Sequence, residues 1–320
     1  MNMLEVNFLN VGDGDAALLR LTSPGAPPRD ILIDTGRPAM TGHPLSRKAT
    51  AAEHLRELGV EKLALLVITH LHIDHMGGAA DILAELPVEQ MVVPYVPAVR
   101  ARELPLRQQG DLFEKWNELC RVLLRWQETL DKARARGTVI RTAWEAPVFS
   151  LDGLTVEEIL PGESIQAQAA LYDRIYRGKR PAAEAWYPVT KRRNPESLME
   201  RVLYGGRQLL FCGDRYAETV TVWPYGRCDL VKLAHHGDPK AMTAPLLEVL
   251  RPEWGIISCQ LDPRKNKDRP NQEILDLLRR GGVKVFCTEN REMAGQPLST
   301  ARRIVCRIRD DGGMEIHTVP

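Results

Sequence analysis

No window of this chain approaches eighteen uninterrupted apolar residues, so the sequence offers no membrane-spanning helix. Its opening, "MNMLEVNFLNVGDGDAALLRL", has no basic start followed by a long apolar stretch and a small-residue cleavage site. It reads as strand, turn, strand, not as a secretory signal. Charge of one sign is missing too: 43 Lys and Arg face 42 Asp and Glu, a net charge of +1. No global field therefore points to nucleic acid or membrane, and any charge argument must be local. The six cysteines, at 120, 212, 228, 259, 287 and 306, are scattered without a CxxC pair. That disfavours a disulfide framework and leads us to expect buried thiols in a reducing cytoplasm. Repeats and low-complexity tracts are absent. Histidine is scarce, eight in 320 residues, which makes its clustering informative.

What remains is ordinary globular composition, 44% apolar and 27% charged, in a chain long enough to bury a sizeable core. The runs "LEVNFLNV" and "DAALLRLT" flank Gly12-Asp13-Gly14, a turn suited to a hairpin. "DILIDTG" reads as a third strand ending at Asp34. A helix around Lys48–Leu58 follows, stopped by Gly59. "KLALLVIT" is continuously apolar, as a strand buried on both faces would be. Residues 94–136 differ: a Pro/Arg-rich crossing precedes a long helix with Leu112, Trp116, Leu119, Leu123, Trp126 and Leu130 at spacings of three and four. We read 94–137 as a helical insertion whose Trp/Leu stripe packs inward. Further on, strands alternate with short helices at 243–250 and 271–280, the latter with Asn271 as N-cap. Two sheets packed together, with helices on the outer faces, is the architecture this order implies. No linker divides the chain, so 1–320 reads as one domain.

The strongest motif lies in "LVITHLHIDHMGG", residues 66–78. His70, His72, Asp74 and His75 share six positions at the end of an apolar strand. Imidazoles and a carboxylate suit zinc or manganese. A regular helix would spread these four around its circumference, so the spacing asks for a turn. Two other apolar runs end alike: "QLLFCGD" at Asp214, and "DLVKLAHHG" at His235-His236.

With these residues in place, the chain resembles the metallo-β-lactamase superfamily, and within it the ComEC-type branch, the nuclease-like domain of the bacterial competence DNA channel. The resemblance runs from residue 8 to 289 through "FLNVGDGDAALL", "ILIDTG", "VITHLHIDHMGG", "NPESLMERVLYGGRQLLFCGD", "DLVKLAHHG" and "NQEILDLLRRGGVKVFCTE". It implies an α/β fold, the αββα four-layer sandwich, with two divalent metal ions, Zn2+ or Mn2+. By the same resemblance His70 and His72 hold one ion, Asp74 and His75 the other, Asp214 bridges them and His236 completes the second site. His235 is left open as ligand, general acid or substrate contact, so Asp74, Asp214 and His235 are the catalytic candidates. Asp15 and Asp34 are expected behind the ligands as orienting carboxylates. Asn194 or Ser197 stands where many members have another histidine. Departures are Asp13 for a common glutamine, Asp238 for a serine after "HHG", and Arg269 where "HP" often occurs.

Two metals serve phosphodiester hydrolysis, and equally lactone or thioester opening. The stretch 173–194 carries Arg174, Arg177, Lys179, Arg180, Lys191, Arg192 and Arg193, with Tyr176, Trp186 and Tyr187 interleaved. Cations with aromatics fit a single-stranded nucleic-acid track. "RKNKDR" at 264–269 adds a second basic segment ending at Arg269. The expectation is a cytoplasmic metal-dependent phosphodiesterase, a nuclease on DNA or RNA. Substrate contacts are expected from Arg177, Lys179, Arg180, Lys191, Arg192, Arg193 and Arg269. The alternatives are a hydrolase of small carboxylic or phosphate esters, and a non-catalytic module binding a protein partner through the 94–137 helix.

Overall fold

The computed structural model describes residues 2–40, 44–107, 109–110, 112–162, 164–191, 193–220, 226–261 and 269–320. The elements run β1 (Met3–Leu9), β2 (Ala17–Thr22), β3 (Arg29–Ile33), α1 (Ala51–Glu57), β4 (Leu63–Val67), α2 (Ile73–Met76), α3 (Ala79–Glu85) and β5 (Val88–Val93). Next come α4 (Phe113–Ala135), β6 (Val139–Thr142), β7 (Val148–Leu151), β8 (Leu154–Ile159), α5 (Ser164–Tyr176), α6 (Ala183–Lys191), β9 (Met199–Tyr204) and β10 (Arg207–Phe211). The chain closes with β11 (Leu230–Lys232), α7 (Ala244–Leu250), β12 (Trp254–Ile257), α8 (Gln272–Arg280), β13 (Lys284–Cys287), the short pair β14 (Glu289–Asn290) and β15 (Ser299–Thr300), β16 (Arg303–Arg309) and β17 (Met314–Val319).

Two sheets share one plan. The first has order β17-β16-β1-β2-β3-β4-β5-β6, the second β13-β12-β11-β10-β9-β8-β7. In the first, β16-β1-β2-β3 is antiparallel and β3 to β6 parallel. In the second, β7 to β10 is antiparallel and β10 to β13 parallel. The Gly12-Asp13-Gly14 turn joins antiparallel β1 and β2, as its composition predicts.

Three apolar layers follow from the side-chain pattern. Between the sheets, Phe8, Leu19, Val67, Val202, Leu209, Phe211 and Ile256 are buried together, with the Phe8 and Phe211 rings stacked at 5.6 Å. Outside the first sheet, α1, α3 and α4 cover Leu18, Leu32 and Leu66. Outside the second, α7 and α8 cover Val231, Leu233 and Ile257. β4 supplies both of its faces, Leu63 and Leu66 outward and Leu65 and Val67 inward, which explains its uninterrupted apolar run. Each such side chain removed from water contributes roughly 1.5–3 kcal/mol. The result is a helix–sheet–sheet–helix sandwich, as the sequence predicts.

Local chemistry sets the helix ends. Thr50 and Glu53 form a capping box on α1. The Asn271 side chain accepts from the Glu273 and Ile274 N–H groups at the start of α8. In α4 the stripe Trp116, Leu119, Leu123, Trp126 and Leu130 is fully inside the outer layer of the first sheet. The face proposed as a partner surface is therefore covered by this chain itself where it is apolar. Among the described residues no helix is long and apolar enough to cross a membrane.

Candidate metal centre

The carboxyl ends of β3 and β4 in one sheet and of β10 and β11 in the other meet at one end of the sandwich, the place where open α/β sheets bind ligands. β3 delivers Asp34, β4 the 69–76 loop, β10 Asp214, and β11 the turn Ala234–Gly237. His70 and His72 lie in the extended approach, with His72 as the N-cap of α2, whereas Asp74 and His75 occupy its single turn. The predicted turn is thus half loop and half helix.

Asp34 orders two imidazoles. Its Oδ1 accepts from Thr69 N (2.9 Å) and its Oδ2 from Thr69 Oγ1 (2.8 Å) and His75 Nδ1 (2.7 Å). With its hydroxyl hydrogen spent on Asp34, Thr69 Oγ1 accepts from His70 Nδ1 at 3.0 Å. Both rings therefore turn Nδ1 to an outer partner and Nε2 inward, the orientation a metal-ligating histidine needs. His236 obeys the same logic: Nδ1 donates to Ser258 O at 3.0 Å, leaving Nε2 inward.

The inward atoms form two sets. In the first, His70 Nε2 stands 2.9 Å from His72 Nδ1 and 3.6 Å from Asp214 Oδ2. In the second, His236 Nε2 stands 3.8 Å from Asp74 Oδ2. His75 Nε2, 3.2 Å from Asp214 Oδ1, joins the two. His70, His75 and Asp214 offer ligand atoms within 4.8 Å of one another, as do Asp74, His75 and His236. Tetrahedral ligands on bonds of about 2.0–2.2 Å lie about 3.3–3.6 Å apart, close to the His70–Asp214, His75–Asp214 and His236–Asp74 separations. The 2.9 Å between His70 and His72 is instead a hydrogen-bond distance, and His72 falls in neither cluster. The donors also demand an ion: His75 Nε2, Asp214 Oδ1 and His236 Nε2 are buried with no hydrogen-bond partner among the described residues. Each such orphan costs about 1–3 kcal/mol, and a cation in each of the two sets would satisfy all three.

Electrostatics and backbone agree. Burial raises the pKa of Asp214, yet His75 and His70 hold it well below the usual carboxylate range. Burial opposes charge on His75, but Asp214 and Asp34 lift it well above the ordinary imidazole value. Positive charge is what this pocket stabilises. Asp34, His235 and His236 adopt φ of 56°, 49° and 58°, left-handed conformations costing about 1–3 kcal/mol each. The 12–14 loop packs directly on the ligand loop: Asp15 N donates to Asp74 O at 3.1 Å, and a Cβ on Gly14 would come within 2.6 Å of that oxygen.

The family model described as "Metallo-beta-lactamase superfamily" matches residues 29–161, the span that holds Asp34 and the whole histidine loop. This is the metallo-β-lactamase fold. The ComE operon protein 3 of Bacillus subtilis (strain 168) is 25% identical over 300 residues, 89% of this chain and 32% of that protein. The lactamase-like protein vrtG of Penicillium aethiopicum is 42% identical over 66 residues, 21% of this chain and 20% of that protein. The chain thus spans a third or less of the curated relatives it matches. Among solved structures, the metallo-β-lactamase fold protein YhfI from Bacillus subtilis is 9% identical with a TM-score of 0.46, covering 99% of this chain and 100% of that one. Family model and paired His/Asp clusters together support a metal-dependent hydrolase.

Within this metallo-β-lactamase fold the remaining expected residues fall as follows. Asp15 lies behind His236, Oδ1 at 3.7 Å from its Nδ1, and is ion-paired with the buried Lys232 ammonium. Ser197 Oγ accepts from Asp214 N at 3.1 Å, fixing the backbone that carries the Asp214 carboxylate. Asp13 Oδ1 is 3.8 Å from His236 Nε2, so its charge does enter the site. His235 is turned differently from His236: its Nε2 accepts from Asn194 Nδ2 (3.0 Å) and Arg269 Nη2 (2.6 Å). Burial, with His236 and Arg269 nearby, pushes its pKa down to about 4 despite Asp214. Arg269 also pairs with Asp238 at 3.0 Å.

The basic stretch is corrected. Tyr176 and Trp186 are buried: the Tyr176 hydroxyl donates to Leu123 O at 2.6 Å, and Trp186 meets Trp116 edge-on at 5.2 Å. They pin α5 and α6 to α4 and cannot lie under bases. Arg177, Lys179 and Arg180 are exposed on the turn between α5 and α6, beside Pro181, whose carbonyl accepts from Arg107. Lys191 lies over the Tyr187 ring. Of the five described cations expected here, Arg193 reaches the ligand loop, donating to Leu71 O at 3.4 Å. Arg192 and 264–268 lie outside the described residues. Four residues carry no signal of their own: Thr69 and Lys232, non-ligand positions inside the quoted motifs, and Ser258 and Arg37, outside them, the last with Nη2 3.4 Å from Asp74 Oδ2.

Proposed function

We propose that this protein is a metal-dependent phosphodiesterase, a nuclease acting on DNA or RNA with two divalent ions, Zn2+ or Mn2+. His70, His72 and Asp214 would hold one ion; Asp74, His75, His236 and Asp214 the other. The observation that carries the reading is a pair of donor sets sharing His75, with a guanidinium group near each: Arg193 at Leu71 O and Arg269 at His235 Nε2 near the first, Arg37 at Asp74 in the second. Neutral ester hydrolysis does not call for cations near both donor sets. The resemblance to the ComEC-type branch, and the 25% identity across 89% of the chain, support the same reading.

Bound divalent ions supply the Lewis acidity that acidifies water and draws charge from phosphoryl oxygens. The chain's own residues do the rest. Asp34, through Thr69 and directly, fixes the His70 and His75 rings before substrate arrives. Burial works against charge on Asp74, but His236, His75 and His72 keep it ionised far below its ordinary range. Asn194 Nδ2 and Arg269 Nη2 converge on one point at His235 Nε2, and both are donors that suit a phosphoryl oxygen as water displaces the ester oxygen.

The deciding experiment is metal analysis with a nuclease panel. Asp74→Ala or His75→Ala should abolish hydrolysis, a loss of at least about 10³-fold, while circular dichroism shows an intact fold. Metal-replete wild type that cuts no DNA, RNA or bis-aryl phosphodiester would sink the reading, and turnover confined to small carboxylic esters would replace it.

A further inference from the structure

Beside the second donor set opens a cavity of about 310 Å3, lined among others by Gly12, Asp13, Arg37, Lys48, Ile73 and Gln260. It shares Asp13 and Ile73 with the loops of the metal centre and is at the small end of ligand-pocket size. None of its cations belongs to a motif.

Two of them face the cavity. Arg37 Nε donates to Asp13 O at 3.3 Å, and its Nη2 lies 3.4 Å from Asp74 Oδ2 and 4.0 Å from Asp13 Oδ2. It joins the cavity to the ligands. Lys48 is held differently: its Nζ donates to the neutral amide oxygen Gln260 Oε1 at 3.3 Å, and among the described residues no carboxylate lies within ion-pair distance of it. The ammonium is nonetheless placed, not loose. Its stem crosses Gly12, whose φ of 73° is set by a turn in which Gly12 N donates to Asn10 Oδ1 at 3.2 Å. A Cβ at Gly12 would come within 2.9 Å of Lys48 Cδ. The cavity lining also includes the apolar Val11, Pro38 and Met40.

We infer that this cavity is a phosphate subsite of the substrate strand: Lys48, with Arg37, binds the phosphate next to the one being hydrolysed, and the apolar lining takes the intervening sugar and base. Arg193 and Arg269 do not line this cavity but contact Leu71 O and His235, so a strand running from the cavity over the two donor sets would meet further cations there. A charge-assisted contact of this kind gives affinity and register but reads no sequence. The inference rests on the phosphodiesterase reading and names the part of the substrate that gives a strand its advantage over a single phosphodiester.

The test uses Lys48→Met, which keeps the stem and removes the charge, with Lys48→Gln as a second variant and Lys48→Arg as the conservative one. Binding of a fluorescein-labelled, uncleavable phosphorothioate oligonucleotide is followed by anisotropy across a salt series, alongside kcat/KM on an oligonucleotide and on bis(p-nitrophenyl) phosphate. Both neutral variants should bind about tenfold more weakly, with a salt slope shallower by about 0.7 for a single strand. The ratio of kcat/KM on the oligonucleotide to that on the small diester should fall about tenfold, and Lys48→Arg should restore both. Wild-type affinity and slope in a folded neutral variant would overturn the subsite. So would wild type that binds no oligonucleotide. If wild type binds the strand through Lys48 but hydrolyses no phosphodiester, the catalytic reading fails and the subsite stands.

Discussion

His54 has no part in the metal centre, yet it ties the stability of the fold to pH. The ring is fully buried on α1, its Nε2 donating to Asn10 O at 3.0 Å, and burial pushes its pKa down to about 4 although that hydrogen bond opposes the change. Between pH 6.5 and 4 the unfolded chain takes up a proton that the folded one refuses. Stability from this residue is therefore complete above pH 6.5 and is lost as pH falls toward 4. The loss approaches about 3 kcal/mol. In metal-free protein, urea unfolding at pH 7 and 4.5 should show His54→Leu losing about 2–3 kcal/mol less than wild type over that interval; equal losses would refute the assignment. At this scale the sequence is informative where residues cluster. His70, His72, Asp74 and His75 declare themselves by density. Lys232, Ser258 and Arg37 do not, because each is one ordinary residue whose role comes from a strand or loop distant in sequence.

Among elements, the legible ones are those whose pattern is set by burial. β4 shows itself by apolar residues on both faces, α4 by its Trp/Leu stripe, and the metal loops by polar residues at the tips of apolar strands. The 173–194 stretch was less legible because an aromatic beside an arginine looks the same whether it stacks on a base or on Trp116. Only the partner helix decides. β8 and β9 hide a further feature: antiparallel pairing sets Glu158 opposite Glu200, and Glu200 is fully buried with neither carboxyl oxygen hydrogen-bonded among the described residues. Burial, then mutual repulsion and Asp34, push the pKa of Glu200 well up, and Glu158 is pushed up to about 8. Such carboxyls stay protonated in the fold at pH values where the unfolded chain has ionised them. Their contribution is thus present below about pH 4.5 and lost as pH rises toward 8. Glu200→Gln should leave stability near pH 5 almost unchanged and raise it at pH 8. A variant that is equally destabilised at both pH values would show instead that the carboxylate is needed.

For the molecule as a whole, the centre joins two sheets that also meet through the apolar layer between them and through polar contacts such as the Asp15–Lys232 pair and Arg207 Nε donating to Gly312 O at 2.7 Å. Asp34, His70, His72, Asp74 and His75 come from the first, Asp214 and His236 from the second. An ion held by both sets binds the folded sandwich and has no preformed site in the unfolded chain, so its binding energy adds to folding energy. At a free metal concentration 100-fold above Kd this amounts to about 2.7 kcal/mol, or a rise in Tm of about 5 °C for a chain of this size. Chelation should reverse it. Asp214 belongs to the contact between sheets, so Asp214→Ala should remove the metal-dependent rise together with hydrolysis. In metal-free protein the same change also removes the carboxylate that His75 and His70 hold ionised and leaves the buried His75 ring without its partner, so it should lower stability there as well. Calorimetry of wild type and Asp214→Ala, each with and without Zn2+ or Mn2+, separates the two effects. A rise of equal size in both proteins would place the ion somewhere other than between the sheets.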